Sequence, residues 1–549
     1  MKVKLFLPII VLIGLLFRFI HLSNLPVCLN WDEVSFGYNA YSLLKTGRDE
    51  YGMFLPLQFK SVGDYKYPLF IYSLVPVVKI FGLNEFSVRF LPALAGTISV
   101  FVMYLIAKLL TNSKRIALIA AFFFAICPWN IQFTRGGADV GYATIFVISG
   151  IYLLLLAIKK QKHPVWASIP LAAALYTYYG ERIFIPIFVL TSMLYFWKDI
   201  AKRKKSLITT FVFAFVILIP MAITTFSVGN KEKFLKTTIF GQIRPKEYEE
   251  KLLKEDNSRA AFKLFHTDVL EKSYGVIDHY LNHFSPSFLF TEGSTLDKRQ
   301  LIYGMGLFYL FELPLILLGV FHTLREKNKY TKFIIFWLLV APIPSAITRD
   351  PVHARRAINM VAPLTLLAAI GANTFLKKFS SGKFPFLRKS LVAASFFTIA
   401  VSILYYIVSY GVWTPRRTYK GAGAWQCGYK ELVFVVQKYK PKYERIIVDT
   451  TYQGPYLYFL FYEQYPPDKY QPQSQLVLES ENSLGEGAGY DKYIFRPIFW
   501  PDDRSVKNTL FIGPEERIPD RDIDNKQSRI VERVLFFTQE EAFRIVETY

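Results

Sequence analysis

Residues 31–33 read Trp-Asp-Glu and stand a few positions beyond an apolar run that ends at residue 22. A carboxylate so near the hydrocarbon boundary is costly unless it is solvated or functional. Read as an ordinary residue, Asp32 belongs to a wet loop. Read for function, it is a general base that takes a proton from a hydroxyl or amine and so makes a nucleophile, with Glu33 beside it. A group that leaves as a phosphate also needs cations, because negative charge builds on its oxygens as the bond breaks. Candidates are Lys66 in Asp64-Tyr65-Lys66-Tyr67-Pro68-Leu69, Arg135 in Thr134-Arg135-Gly136-Gly137-Ala138-Asp139, Arg182, and His353 with Arg355 and Arg356. Any one of these could be a snorkelling anchor at a helix end. Several on one face are harder to explain that way.

Other chemically suggestive residues have plainer readings. Glu312 lies in an apolar run, where an acid is a functional candidate, but it precedes Pro314 and can serve backbone donors freed there. His279 and His283 have the i, i+4 spacing of a zinc helix without the intervening Glu or a placed third ligand. No metal site is expected. Gly485-Glu486-Gly487-Ala488-Gly489 lacks the strand and helix of a dinucleotide loop and reads as a flexible connection. Of the three cysteines, Cys28 and Cys427 are both expected outside the membrane and could bridge, but free thiols are the expectation.

The elements that must hold these residues are membrane spans. The 549 residues are 52% hydrophobic and 20% charged, and the apolar residues fall in runs long enough to cross a hydrocarbon core. About eleven spans are expected, over residues 5–22, 88–110, 116–126, 142–158, 165–179, 183–197, 207–226, 301–324, 333–347, 357–375 and 391–410. The first resembles a signal peptide but has no cleavage site before Asn24 and reads as a retained helix. Lys and Arg cluster in every second short connection, so the net charge of +22 follows the positive-inside pattern and does not indicate a nucleic-acid surface.

That pattern puts the N-terminus in the cytoplasm and the C-terminal part outside a multi-pass plasma-membrane protein. All the candidate site residues then share the external face. Two long external loops, 23–87 and 227–300, contain amphipathic stretches suited to the interface, around 34–44 and 69–81. After residue 410 the composition shifts, with strand-like runs at 446–448 and 509–512 and a helix at 431–439. The expected fold is mainly α: a polytopic helical bundle over 1–410, with interfacial helices in its first external loop, followed by a small extracytoplasmic α/β domain over 411–549.

The order of these motifs resembles the GT-C-fold glycosyltransferases related to protein O-mannosyltransferases and the lipid A aminoarabinose transferase. The resemblance is carried by Asp32-Glu33 after the first span, Lys66-Tyr67-Pro68-Leu69, the stretch Arg135 to Asp139, and Tyr176-Thr177-Tyr178-Tyr179-Gly180-Glu181-Arg182. It continues with His283-Phe284-Ser285-Pro286, Phe311-Glu312-Leu313-Pro314, His353-Ala354-Arg355-Arg356-Ala357-Ile358-Asn359 and Tyr456-Leu457-Tyr458-Phe459-Leu460. It implies a polyprenyl-phosphate-linked sugar donor and transfer to a protein, lipid or glycan acceptor on the extracytoplasmic face. It also implies Asp32 as the base of an inverting reaction, Asp139 as a second acid near the site, and Lys66 on the carrier phosphate. Tyr67 stands where relatives often carry the first proline of Lys-Pro-Pro-Leu. No cofactor is expected, and a divalent cation is left open. The rival reading is a transporter or flippase of lipid-linked sugars; such a protein should set its polar residues at mid-membrane, often in repeated halves, whereas these lie at one face.

Overall fold

The computed structural model describes residues 3–61, 64–225, 234–255, 259–380, 385–420, 424–452, 454–474 and 489–549. The chain opens with α1 (Val3–Phe19), α2 (Trp31–Thr46), a hairpin of β1 (Phe59–Ser61) and β2 (Asp64–Lys66), and α3 (Pro68–Phe81). There follow α4 (Glu85–Thr111), α5 (Lys114–Ile126), α6 (Pro128–Arg135), α7 (Asp139–Lys160), α8 (Val165–Leu175), α9 (Glu181–Tyr195), α10 (Trp197–Ile200) and α11 (Lys204–Thr225). Later apolar helices are Glu312–Arg325, Lys329–Val340, Val361–Ser380 and Pro385–Val408. The chain divides into two compact units. One comprises Met1–Ile20, Ala93–Thr134 and Asp139–Tyr410; the other comprises His21–Pro92, Arg135–Ala138 and Gly411–Tyr549.

Five helices among the described residues are long and apolar enough to cross a membrane: Glu85–Thr111, Asp139–Lys160, Lys204–Thr224, Ile358–Lys378 and Lys389–Thr418. The pair α5 and α6, bent by 52°, makes a sixth if it is one span, and α1 and α8 are apolar but shorter. The bend has a local cause. Pro128 has no N–H, so carbonyls of the preceding turn lose their helical donor. The buried guanidinium of Arg18 on α1 donates to Ala125 O (3.1 Å), and also to Asn130 Oδ1 (2.6 Å) and Thr134 Oγ1 (3.2 Å), while Tyr309 Oη donates to Ile126 O (3.0 Å). A charge inside an apolar bundle is thereby fully engaged by backbone and amide oxygens.

The expected span over 301–324 is helical only from Glu312. Its first half packs as irregular chain: Ile302 pairs with Met305 through a β-bridge, and Leu307 O accepts from Trp129 N at 3.0 Å. Gly306 lies so close to Phe290 that an added Cβ would sit 2.4 Å from its carbonyl carbon. Hydropathy alone does not register such tertiary use of backbone groups. Where the helix does form, Gly319 and Gly371 let it approach Val361–Ser380, since a Cβ on either would meet a carbonyl oxygen of the other helix within 2 Å.

The second unit contains α2, the β1–β2 hairpin, α3 and a mixed six-stranded sheet. Its strands are β3 (Arg445–Val448), β4 (Gly489–Tyr490), β5 (Tyr493–Phe495), β6 (Thr509–Gly513), β7 (Ser528–Leu535) and β8 (Glu541–Thr548), in the order β4-β5-β3-β6-β8-β7. The central β3 runs parallel to both β5 and β6, and β6 is buried throughout, as expected for parallel strands covered on both faces. Of the glycine-rich run at 485–489, residues 485–488 lie outside the described residues and Gly489 begins β4. Cys28 and Cys427 form a disulfide, which corrects the expectation of free thiols. Its cause is a contact invisible in the sequence: the segment after Tyr410 folds onto the first loop, bringing the two Cα atoms to 5.3 Å.

Candidate functional site

The candidate residues form two clusters, one in each unit. In the second unit Asn30 caps α2. Its Oδ1 accepts from Asp32 N and Glu33 N, while Glu33 Oε2 accepts from Asn30 N, completing a capping box. The cap fixes Asp32 in the first turn, where the helix dipole favours a carboxylate. Lys66 ends β2 immediately ahead of α3 and is largely buried. Its ammonium contacts Asp32 Oδ1 directly and Asp64 Oδ2 at 3.3 Å, and lies 5.9 Å from the centre of the Phe36 ring.

Glu33 is turned inward. Its Oε1 receives Arg89 Nε at 2.8 Å, and both side chains are buried. Arg89 also donates to the carbonyls of Leu22 (3.1 Å), Pro26 (2.8 Å) and Cys28 (2.7 Å). This ion pair therefore ties the chain before α2 to α4. It escaped sequence reasoning because nothing in the spacing links positions 33 and 89. Gly137 completes the frame, since a Cβ there would lie 2.7 Å from Glu33 Oε1. Arg135, a candidate phosphate ligand, is buried and donates to Leu25 O at 3.1 Å.

In the first unit Asp139 opens α7, and its Oδ1 receives both Val140 N (2.8 Å) and Arg355 Nη2 (2.5 Å). Arg355 lies 5.6 Å from the Tyr178 ring centre. Arg356 pairs with Asp350 Oδ2 at 3.0 Å, and Arg182 and Arg356 both lie close enough to Tyr179 to act on its hydroxyl electrostatically. The structure thus brings Asp139, Arg182, Arg355 and Arg356 together around two tyrosines to which sequence reasoning gave no role, although both lie in a motif it singled out.

The loop carrying the arginines is braced from behind. Gln300 Oε1 accepts from Arg355 N (3.1 Å), and the Gln300 amide reaches Asp297 Oδ2 (3.0 Å) and His353 Nε2 (3.1 Å). His353 Nδ1 accepts from Arg356 N at 3.3 Å. Burial, then Arg356, Arg355, Arg299 and His283, hold the His353 imidazole well below the usual histidine range. Its bonds to Gln300 and to Arg356 N place His353 in the frame of this loop. Burial would raise Asp297, but Arg299, bonded to it at 2.8 and 3.0 Å, holds it below the usual carboxylate range.

The remaining acids and histidines are occupied structurally. Glu312 Oε2 accepts from Tyr309 N at 3.1 Å, and Glu181 takes both its hydrogen bonds from Asn359 Nδ2. His279 Nδ1 bonds Thr348 O (3.0 Å), and His283 bonds His279 O (2.6 Å) and Ser345 Oγ (2.7 Å). Among the described residues no three His, Cys, Asp or Glu side chains group as metal ligands would.

Apolar helices, a mixed sheet and these charged clusters define the class: a membrane protein with the GT-C glycosyltransferase fold. Residues 66–223 match the family described as Dolichyl-phosphate-mannose-protein mannosyltransferase. Among solved structures the chain is similar to ArnT from Cupriavidus metallidurans in the apo state, with a TM-score of 0.54 and 10% identity over 98% of this chain and 97% of that one. The same protein bound to undecaprenyl phosphate gives a TM-score of 0.50 at the same identity and coverage. The oligosaccharyltransferase of Archaeoglobus fulgidus, tethered with an acceptor peptide, gives 0.51 and 15% identity over 85% of this chain and 63% of that one. In sequence, the Dolichyl-phosphooligosaccharide-protein glycotransferase 1 of the same archaeon is 27% identical over 188 residues. That match covers 32% of this chain and 31% of the relative, so the chain spans about a third of that relative's length.

Proposed function

We propose that this protein is an inverting glycosyltransferase that moves a sugar from a polyprenyl-phosphate carrier to an acceptor at the extracytoplasmic face of the plasma membrane. The reading takes the chain as crossing the membrane about eleven times, with its N-terminus in the cytoplasm and residues 411–549 outside. The observation that carries it is the ion pair of Asp32 with Lys66, a potential base in direct contact with a potential phosphate ligand. The GT-C fold supports it, as does undecaprenyl phosphate bound to the similar ArnT.

In this mechanism Asp32 takes the acceptor proton as the acceptor heteroatom bonds to the anomeric carbon, and the bond from that carbon to the phosphate oxygen breaks. The carrier phosphate leaves with the electron pair of that bond. Lys66 counters the developing charge beside Asp32, and Arg182, Arg355 and Arg356 are the first unit's candidate phosphate ligands. Tyr178 and Tyr179 line the arginines, and Asp139 orients Arg355. Arg135 and Glu33 hold the frame. The acceptor is a protein, lipid or glycan that presents a hydroxyl or amine, which is all the chemistry requires.

The test is incubation of the purified protein with a panel of polyprenyl-phosphate sugars and candidate acceptors, measuring free carrier phosphate. Release that depends on both donor and acceptor supports the reading. A full panel without release, from protein that is folded and binds polyprenyl phosphate, overturns it in favour of a transporter or binding protein.

A further inference from the structure

A cavity opens at the end of α7 opposite Asp139. It has a volume of about 240 Å³ and is enclosed by α7, α8, α9 and α11. Its walls are aliphatic and aromatic, with Leu154, Leu171, Leu175, Val189, Phe211 and Leu218 among them. The hydroxyls of Ser192 and Thr210, which also line it, are bonded back to their own helices, at Phe188 O (2.6 Å) and Ser206 O (2.7 Å), so they ask little of an occupant. From Ser206 to Leu218 along α11 the slot runs about 18 Å at 1.5 Å per residue. That is close to the half-thickness, about 15 Å, of a bilayer's hydrocarbon core.

Its mouth is basic. Ile158, Pro164 and Arg203 line that end. Arg203 donates to Ala157 O (3.2 Å) and Lys162 O (2.6 Å), joining the end of α7 to the start of α11. The two connections that frame the mouth, residues 159–164 and 196–206, carry eight Lys and Arg against one acid, Asp199. Asp199 is itself paired with Lys329 at 2.6 Å. Lys160, Lys162, Lys204 and Lys205 are exposed, and Trp166 and Trp197 stand 64% and 56% exposed beside them, as tryptophans do at a membrane–water interface.

We propose that this slot holds one acyl chain of an anionic phospholipid, with the headgroup phosphate against Arg203 and the neighbouring lysines. An apolar slot of single-leaflet depth opening on a basic rim matches such a lipid in both shape and charge. The sugar carrier is a poorer occupant. Asp139, which holds Arg355, begins α7, and Ala157 at the slot is eighteen residues further on, about 27 Å along the helix. The basic mouth therefore lies far from the arginine cluster; the slot's opposite end reaches Leu175, whose carbonyl accepts from Arg182 Nε at 3.5 Å, so a carrier tail entering from that end is the competing occupant that the polyprenyl phosphate arm of the experiment tests.

The experiment is native mass spectrometry of the full chain in mild detergent, after exchange into phosphatidylglycerol, phosphatidylcholine, polyprenyl phosphate or inorganic phosphate. Phosphatidylglycerol should be retained over phosphatidylcholine, with retention falling about fivefold for each of the exposed charges removed in Lys204→Gln and Lys205→Gln. Ala172→Trp, which fills the slot from α8, should abolish retention while leaving thermal unfolding cooperative. Equal retention of the two phospholipids overturns the proposal, as does unchanged retention in Ala172→Trp, which would signify surface charge alone. Displacement of phosphatidylglycerol by polyprenyl phosphate or by inorganic phosphate at equal concentration overturns it as well.

Discussion

Lys66 and Asp32 hold each other: the lysine ammonium rests on the carboxylate that the proposed reaction needs as its base. A base engaged by a cation is a weaker base until that cation has another partner. The donor phosphate supplies one. In the proposed reaction its arrival would draw Lys66 from Asp32, so that the carboxylate becomes active only when a donor is present. Asp32→Asn keeps the shape and removes the basicity. Its expected effect is a fall in kcat of about a hundredfold or more, with donor affinity within a few-fold of the parent. Steady-state carrier release together with donor binding checks both. Near-normal turnover in Asp32→Asn would end the base assignment.

Lys66→Gln removes the charge but keeps a hydrogen-bond donor. The loss of one charge-assisted contact to phosphate should raise the donor KM by about tenfold, taking about 1.5 kcal/mol for a hydrogen bond to a charged group. Because Asp32 is then released without donor, residual hydrolysis of donor by water should rise relative to transfer. A Lys66→Gln protein with unchanged donor KM would leave the arginines of the first unit as the sole phosphate ligands.

Glu33 and Arg89 behave differently from Asp32 and Lys66 although they adjoin them. Both are buried, and Arg89 also engages four backbone carbonyls ahead of α2. Arg89→Ala leaves the Glu33 carboxylate buried without its partner, at a cost of about 3–5 kcal/mol. Gly137→Ala presses a methyl against Glu33 Oε1, which lies 2.7 Å from the added carbon, and should cost about 1–3 kcal/mol. Both losses should register as a lower Tm. A variant at either position that keeps its Tm but loses kcat would move Glu33 from frame to chemistry.

The contrast between these pairs marks where sequence reading reaches its limit. Hydropathy located the long helices and the amphipathic stretches that became α2 and α3, because a single helix's apolar face is a local property. It misread 301–311, where glycines and a tryptophan N–H from α6 draw the backbone into tertiary bonds. It named Arg355, Arg356 and Arg182 from the side of the membrane that the charge pattern leads one to expect, but not the tyrosines between them. It could not register that His353 is buried among three arginines, because such packing leaves no mark on spacing. The Cys28–Cys427 bond joins residues 399 positions apart, a separation at which only folded geometry selects partners.

His283 gives a prediction in acid. Burial lowers its imidazole from 6.5 to about 4, against the favourable bond to His279 O. The unfolded chain binds a proton between those values and the folded chain does not, so stability is lost as pH falls from about 6.5 towards 4. His283→Gln can hydrogen-bond but not titrate. The drop in Tm across that interval should be smaller in the variant, and an unchanged drop would assign acid sensitivity to other groups.

Glu50 reverses the sign. It follows α2 in the first loop and is fully buried. Burial pushes its carboxyl from 4.5 up to about 8; Asp49 adds to the shift, while Ser61, Asn39 and Lys66 oppose it. The unfolded chain loses this proton near 4.5 and the folded chain keeps it to about 8, so stability falls as pH rises through that interval. Glu50→Gln mimics the protonated form at every pH. The variant should match the parent near pH 4.5 and exceed its Tm at pH 8, with the gap growing steadily between. Above that range an ionised Glu50 also competes for Lys66, so the parent's donor KM should climb with pH while that of Glu50→Gln stays flat. A constant Tm difference with parallel KM profiles would show that Glu50 is held as an anion throughout.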